Sequence, residues 1–240
     1  VFNTKGQVIG LFNSTGESQS STDANYAKDF IVKGLSQNDI TLRQSDIRIG
    51  LPNTIEEAVV ALMLSSEKPT NIHEAVVNEF ITKFPQANDG YYALANIQVA
   101  KGDFANADKT MQTAISKVSA KDEAHYNYAR LVYRNALIQE FAEKTKSVGW
   151  TLDKALDEVI KAQTAKANDA YRHLQAQIIY AKGDYAKAYT EFEALTKTKF
   201  NNPELYLEMA QSRQHLGAND QEILDLLNKS IELCDTPYVS

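Results

Sequence analysis

Residues 100–111 read AKGDFANADKTM, and residues 181–192 read AKGDYAKAYTEF. The two copies share Ala-Lys-Gly-Asp, an aromatic residue and Ala, and they begin 81 residues apart. Each copy lies between stretches with apolar residues three and four positions apart, which is typical of amphipathic helices. Glycine accepts the left-handed conformation that commonly ends a helix, and aspartate caps the start of the next helix. The motif therefore predicts a turn between two helices rather than a loop that holds a ligand.

A recurring small residue gives the length of the helix pair. Residues that would let paired helices approach occur at Ala95, Ala129, Ala176 and Ala210, with spacings of 34, 47 and 34 residues. A period of 34 residues is that of the tetratricopeptide repeat (TPR), a helix-turn-helix unit. The sequence resembles this family from about Thr54 onward, most clearly after residue 88.

The residues that carry the resemblance occupy equivalent positions in successive units. They are Tyr91, Leu94, Ala95, Gly102, Phe104, Ala107 and Ala114 in one unit, and Leu174, Ala176, Gly183, Tyr185, Ala188 and Phe192 in another. Tyr206, Ala210, Gly217, Leu227 and Ser230 match more weakly. The resemblance implies an all-α fold, a right-handed α-solenoid of helix-turn-helix repeats, whose concave groove binds partner segments.

The resemblance divides the chain into a divergent N-terminal segment, residues 1–53, and a repeat array, residues 54–240. Within the N-terminal segment, residues 6–12 have strand-like content and residues 13–23 suggest a polar loop. A short strand pair is therefore one possibility, and the spacing over residues 26–35 suggests a degenerate helical repeat after it. The predicted units lie near residues 54–87, 88–121, 122–168, 169–202 and 203–235.

The middle unit departs from a plain array by 13 extra residues, because 47 exceeds 34. We place this insertion at residues 135–151. We expect the first helix of the unit to continue past Asn135 and a loop to follow at residues 147–150, with Thr151 as the cap of the next helix. Trp150, the single tryptophan, would be either an exposed anchor for a partner or a cover over the helix pair.

Side chains that would face the groove form a stripe along the first helices. Counted in each unit from its small residue, the groove candidates are Tyr92, Asn96, Tyr126, Asn127, Arg130, Tyr133, Arg134, His173, Gln177, Tyr180, Gln211 and His215. Tyrosine and arginine are enriched at binding hot spots. The resemblance therefore implies a protein or peptide partner, although each tyrosine taken alone could equally pack against a neighbouring helix.

Two asparagines of the stripe suggest a more specific ligand, which the rest of the pattern does not support. Asn96 and Asn127 are 31 residues apart, the spacing at which some members of the family bind C-terminal carboxylates with the help of three basic residues. Tyr92, Ala170 and Leu174 stand at those basic positions. A carboxylate would lack its charge-assisted hydrogen bonds there, so we do not expect binding of chaperone tails.

Motifs of catalysis or metal binding are weak in this sequence. His73 opens a zinc-protease-like HEAVV without the second histidine, and no nucleotide-binding or nucleophile-elbow motif is present. We therefore predict no cofactor, no metal and no enzymatic activity, and a protein–protein interaction scaffold as the function. The alternative is a small-molecule or glycan-binding module, or an accessory enzyme, centred on residues 135–151.

Charge and apolar patterning limit the partners and the location. The net charge of −6 is spread over interleaved acidic and basic residues, which argues against nucleic acid. No apolar run approaches the roughly 18 residues of a membrane span. The last predicted helix, residues 221–234, is apolar along one face, so we expect a homodimer or further C-terminal repeats there. The ending FITKFP at residues 80–85 resembles repeats of bacterial envelope lipoproteins, which favours a periplasmic or envelope location over a cytoplasmic one.

Overall fold

This computed structural model describes residues 3–15, 18–23 and 50–235, and the chain forms two compact units, Val1–Gly50 and Leu51–Ser240. The first unit contains an antiparallel hairpin of β1 (Gly10–Thr15) and β2 (Ser18–Asp23). The polar loop expected at residues 13–23 is therefore wrong, because residues 13–15 and 18–23 pair as two strands through main-chain hydrogen bonds. The degenerate repeat expected at residues 26–35 lies outside the described residues.

The second unit contains eleven α-helices in its described part, residues 51–235. They are α1 (Ile55–Ser65), α2 (Thr70–Lys83), α3 (Asn88–Ala100), α4 (Phe104–Lys117), α5 (Lys121–Ala136), α6 (Ala142–Ser147), α7 (Leu152–Ala165), α8 (Asp169–Ala181), α9 (Tyr185–Leu195), α10 (Pro203–His215) and α11 (Asp220–Asp235). A 3₁₀ turn, Gln139–Phe141, precedes α6.

The helices pack in chain order as antiparallel pairs, with α6 added beside α5. Helix α3 also contacts α5, and α5 contacts α8, so the first helices of successive pairs form a row. The four alanines expected between paired helices are buried. Ala95, Ala129 and Ala176 have no exposed surface, and Ala210 is 3% exposed. Each pair thus buries its apolar side against its neighbours, which is the helix-pair array that the 34-residue spacing predicts.

The repeated AKGD motif makes the same turn twice. Gly102 and Gly183 have φ angles of +78° and +88°. In the first copy Gly102 N donates to Val99 O at 2.8 Å and Asp103 N donates to Gln98 O at 2.8 Å, the bond pair of a Schellman motif. Asp103 then accepts from Asn106 N at 3.2 Å and caps α4. The predicted stop, turn and start are confirmed.

The second unit begins three residues before the predicted boundary at Thr54. Leu51 is buried, and its main-chain N donates to Glu79 Oε1 at 2.8 Å. Lys83 Nζ donates to Leu51 O at 2.7 Å. Both partners lie on α2, about 30 residues away in sequence, so helix periodicity at the start of the array could not show this attachment.

The insertion differs from the expected prolonged helix, because α5 ends at Ala136. The Asn135 side chain donates to Leu131 O at 2.7 Å, and Ile138 N donates to Asn135 O at 3.2 Å. Asparagine favours such local bonds over continuation of the helix. The 3₁₀ turn and α6 follow; α6 ends at Ser147, and Gly149 comes two residues later with a φ angle of +70°. The loop expected over residues 147–150 is therefore a helix end and a glycine turn.

Trp150 packs inside the array and is not an exposed anchor. It is 2% exposed, and its ring centroid lies 5.5 Å from that of Phe104 in edge contact. Its Nε1 donates to Asp108 Oδ1 at 2.7 Å, and the Tyr128 hydroxyl donates to the same oxygen. The carboxylate of Asp108 therefore holds the insertion against the junction of α4 and α5. Of the two alternatives for Trp150, it covers the helix pair and is not an exposed anchor.

Candidate binding face

The predicted groove residues all lie on the first helices of their pairs. Tyr92 and Asn96 are on α3, the five candidates between residues 126 and 134 are on α5, three are on α8, and Gln211 and His215 are on α10. We call this set of side chains the first-helix face. The structure brings several of them together in two clusters, one centred on Arg130 and one on Glu208.

The Arg130 cluster consists of Tyr92, Tyr126, Arg130 and Tyr171. The guanidinium carbon of Arg130 lies 5.4 Å from the ring centroid of Tyr92 and 5.8 Å from that of Tyr126. The rings of Tyr126 and Tyr171 are 4.7 Å apart between centroids. Burial raises the pKa of Tyr126, and the charge of Arg130 partly opposes that rise. The cluster therefore presents a cation whose direction is set by aromatic rings.

Tyr92 carries an unusual group within this cluster. Its hydroxyl is buried, and no group in the described part of the chain forms a hydrogen bond with it. An unpaired buried hydroxyl costs roughly 1–3 kcal/mol. A ligand group or a water molecule at this position would remove that cost.

The Glu208 pocket is a cavity of about 140 Å³ between α5, α8 and α10. Its lining residues are Tyr133, Gln177, Tyr180, Phe192, Glu208 and Gln211. Gln177 Nε2 donates to Glu208 Oε1 at 2.7 Å, and His173 Nε2 lies 2.6 Å from Glu208 Oε2. Burial raises the pKa of Tyr133, and the negative charge of Glu208 raises it further. Aromatic walls and one fixed carboxylate thus define the pocket.

Four of the six lining residues were predicted from the stripe, whereas Phe192 and Glu208 were missed. Phe192 lies on a second helix, which the stripe leaves out. Glu208 could have been found, because the 81-residue offset between the two AKGD copies also relates Asn127 to Glu208. The same register position that suggested an asparagine of the face therefore supplies the carboxylate of the pocket.

Asn96, Asn127 and His173 are less open on the face than the sequence suggests. His173 is 8% exposed and contacts the ring edges of Phe192 and Phe200, so it positions Glu208 from behind. Asn127 is buried as well. The Asn96 side chain donates to Tyr92 O at 2.7 Å within its own helix. The burial of Asn127 and the existing hydrogen bond of Asn96 are thus two further arguments against carboxylate binding, besides the missing basic residues.

The remaining candidates are exposed at the edges of the face. His215 stacks on Tyr185 with ring centroids 4.2 Å apart and planes 6° from parallel, and the Tyr180 ring lies 5.7 Å from His215. Arg134 and Gln211 are exposed. This edge therefore offers a flat aromatic surface beside the Glu208 pocket.

Metal-ligating groups meet at one place in the described part of the second unit. Ligand atoms of His173, Glu204 and Glu208 all lie within 4.8 Å of one another. The metal-like motif of the sequence begins instead at His73, whose Nδ1 lies 2.7 Å from Ser65 Oγ and whose pKa is lowered by burial. Glu204 and Glu208 are four residues apart on α10, but His173 lies on α8, so short spacing in the sequence could indicate the two carboxylates and not the histidine.

Comparisons with known proteins identify the fold. No protein-family model and no curated protein matches the sequence. A solved thermophilic TPR protein of Thermus thermophilus is 16% identical with a TM-score of 0.55, over 74% of this chain and 90% of that one. PilF of Pseudomonas aeruginosa is 16% identical with a TM-score of 0.53, over 73% and 75%. MamA is 13% identical with a TM-score of 0.52, over 72% and 93%.

At 13–16% sequence identity, the similarity to these solved structures shows a shared fold. In the described residues no helix is long and apolar enough to cross a membrane. Helix pairs, glycine turns and solved relatives agree on one architecture. The chain thus has the fold of the tetratricopeptide-repeat family.

Proposed function

We propose that this chain is a non-enzymatic scaffold that binds a protein or peptide segment along the first-helix face. The observation that carries the proposal is the Glu208 pocket, which side chains from three successive first helices line together. A surface built from several helices suits an extended segment, which can contact each pair in turn. The Arg130 cluster adds a cation that a partner can engage.

The face has the composition of a binding surface that is ordered before binding. Arg130 lies over two aromatic rings, and Glu208 accepts from two neighbours, so neither side chain loses much conformational freedom on binding. Rigid groups increase affinity because less entropy is lost. Tyrosine and arginine at such positions are typical hot-spot residues.

Affinity capture from the source organism tests the proposal. Tagged chain carrying Arg130→Ala and Arg134→Ala should lose a captured partner by at least about tenfold, the loss of a single hot spot, with unchanged helicity. Tyr126 is left in place because its ring packs against Tyr171. The control is Lys187→Ala with Lys199→Ala, which removes two exposed cations outside the first-helix face. Equal capture by both double variants would contradict the assignment of the face.

The alternative, a small-molecule or glycan-binding module at residues 135–151, has less support. The side chains of Trp150 and Phe141 pack against Phe104. The insertion lines neither the Glu208 pocket nor a second cavity, of about 380 Å³, between α2, α3 and α4. A thermal-shift screen of metals, sugars and nucleotides tests it. A saturable rise in melting temperature that Trp150→Phe abolishes would favour this alternative.

We also propose a periplasmic or envelope location in a bacterium and an interface on α11. The location rests on the FITKFP ending of α2, and cell fractionation that finds the protein only in the cytosol would contradict it. The interface rests on Leu224 and Ile231, which are 50% and 58% exposed on α11. Sedimentation velocity over a range of concentrations should show self-association that Leu224→Glu removes, if a second copy covers this helix.

A further inference from the structure

The Glu208 pocket has the size of a side chain rather than of a cofactor. Its volume is about 140 Å³, close to the roughly 150 Å³ of a cavity that accepts one benzene. Cofactor and drug-sized sites occupy about 300–1,000 Å³. The pocket opens on the first-helix face, because Gln211 on its rim is exposed. A single side chain of a bound segment therefore fits the space.

In the described residues neither a lysine nor an arginine pairs with the Glu208 carboxylate, whose contacts are His173 and Gln177. Among the described residues the ion pair of Glu208 is with His173, and no lysine or arginine lines the pocket. A carboxylate has about four acceptor positions, so the bonds from His173 and Gln177 leave room for further donors. Tyr133 lines the same cavity, and its pKa is raised by burial first and then by the negative charge of Glu208.

The walls of the pocket are aromatic. Tyr133, Tyr180 and Phe192 supply ring surfaces around the carboxylate, and a cation over a ring is attracted by the electrons of its face. The same chain already uses this interaction elsewhere, since Arg213 lies 5.4 Å from the ring centroid of Tyr189. An anionic group would be repelled by Glu208, and an apolar group would remove water from the carboxylate without replacing its bonds.

We propose that the Glu208 pocket binds the side chain of a lysine or arginine of the partner segment. The cationic end donates to Glu208, and the methylene chain lies between Tyr133 and Tyr180. This inference rests on the proposed function and adds a chemical requirement to it: the partner carries a basic residue at the position that meets α8 and α10.

A small-ligand titration followed by nuclear magnetic resonance tests the pocket without the partner. The probe is n-butylammonium, with n-butanol and butyrate as neutral and anionic analogues of the same chain length, all at constant ionic strength. Side-chain amide signals of Gln177 and Gln211 report binding. We expect saturable shifts for n-butylammonium, with a dissociation constant on the order of 10 mM as so few atoms allow, and none for butyrate. Absence of saturable shifts, or equal shifts with n-butanol, overturns the proposal.

Three variants locate the binding. Glu208→Gln should weaken n-butylammonium by at least about tenfold, since it removes the charge that the ammonium meets. Glu143→Gln is the matched control, because it removes the same charge from an exposed position on α6 that does not line the pocket, so it should leave binding unchanged. Tyr180→Leu keeps an apolar wall but removes the ring, and should weaken binding by roughly threefold. Binding that survives both Glu208→Gln and Tyr180→Leu would refute the assignment.

Two further outcomes have defined meanings. If Zn²⁺ or Mn²⁺ displaces n-butylammonium at equimolar protein and Glu204→Gln abolishes that displacement, the groups around Glu208 form a metal site and the proposal is overturned. Partner capture is measured independently with the Arg130 and Arg134 variants. A partner that still depends on Arg130 while n-butylammonium does not bind would refute only the basic-residue requirement and leave the proposed function standing.

Discussion

Replacement of Asp108 by alanine should destabilise the array and release the insertion. Asp108 Oδ1 accepts from Trp150 Nε1 at 2.7 Å and from the Tyr128 hydroxyl, and these two side chains are 2% and 1% exposed. Asp108→Ala leaves both buried donors without an acceptor. Each orphaned donor costs roughly 1–3 kcal/mol, and water entering the space of the lost carboxylate recovers part of this. We expect a fall of about 3 kcal/mol in the free energy of unfolding.

The single tryptophan allows a direct assay, because its fluorescence reports on Trp150 alone. Urea unfolding is followed by tryptophan emission and by far-ultraviolet circular dichroism. In Asp108→Ala the emission should shift to the red at lower urea than the loss of helicity, since the insertion opens before the neighbouring pairs. Asp108→Asn, which retains an acceptor oxygen, should cost about 1 kcal/mol.

The control for this experiment is Asp157→Ala, an exposed aspartate on α7. A surface substitution of this kind should change stability by less than about 0.5 kcal/mol. If Asp108→Ala also stays within that limit and leaves the emission maximum of Trp150 unchanged, then the two hydrogen bonds do not hold the insertion and the argument fails.

Two other predictions concern a buried charge and a close helix contact. Burial would raise the pKa of Glu158, but hydrogen bonds from Lys161, His125 and Lys154 lower it below its ordinary value of 4.5. The ionised carboxylate therefore stabilises the fold above pH 4.5. This stabilisation is lost as the pH falls through the lowered pKa of the folded state. Glu158→Gln should therefore reduce stability by about 2 kcal/mol at pH 7 and by progressively less in acid, as denaturant unfolding across pH can show; a pH-independent difference would contradict this. Gly90→Ala should cost about 2–3 kcal/mol in thermal unfolding because its Cβ would lie 2.8 Å from Phe80 Cδ1 and Ile81 Cγ1. Gly183→Ala, where nothing lies within 4 Å but φ is +88°, should cost only about 1 kcal/mol; equal losses would refute the steric explanation.

The features that could be predicted from the sequence are those in which local chemistry and repeat spacing agree. The glycine turns and the buried small residues follow from residue type and position in the 34-residue unit. The attachment of Leu51 to α2 and the meeting of His173 with Glu208 depend on contacts about 28 and 35 residues apart. Such contacts are set by packing between pairs, which no local pattern encodes.

The candidate face was partly predictable for the same reason. Counting from the small residue identified Tyr133, Gln177 and Tyr180, which line one pocket. The same count placed His173 on the face, whereas Phe192 and Phe200 bury it. A position that points toward the face in one pair is covered in another when a larger neighbour occupies the adjoining helix, so equivalence in sequence does not guarantee equivalence in exposure.

The two AKGD copies differ at the residues that decide what lies against each turn. The aromatic residue is Phe104 in the first copy and Tyr185 in the second. Phe104 is buried beneath Trp150 of the insertion, whereas Tyr185 is only partly buried and stacks on His215 at the edge of the first-helix face. A phenylalanine suits full burial, and a tyrosine suits a surface where its hydroxyl stays hydrated.

The two copies differ in the same way four residues after the aromatic residue. Asp108 in the first copy accepts from Trp150, and the corresponding Tyr189 in the second copy lies beneath Arg213 instead. Asp108 also accepts from Tyr128 on α5 and from Gln112 on its own helix, so the insertion adds one more donor, Trp150, to a carboxylate that already has partners. The shared residues thus make the turn, and the differing residues specify its neighbour. One copy supports the insertion in the interior, and the other leaves an aromatic surface open beside the Glu208 pocket, where the proposed partner would bind.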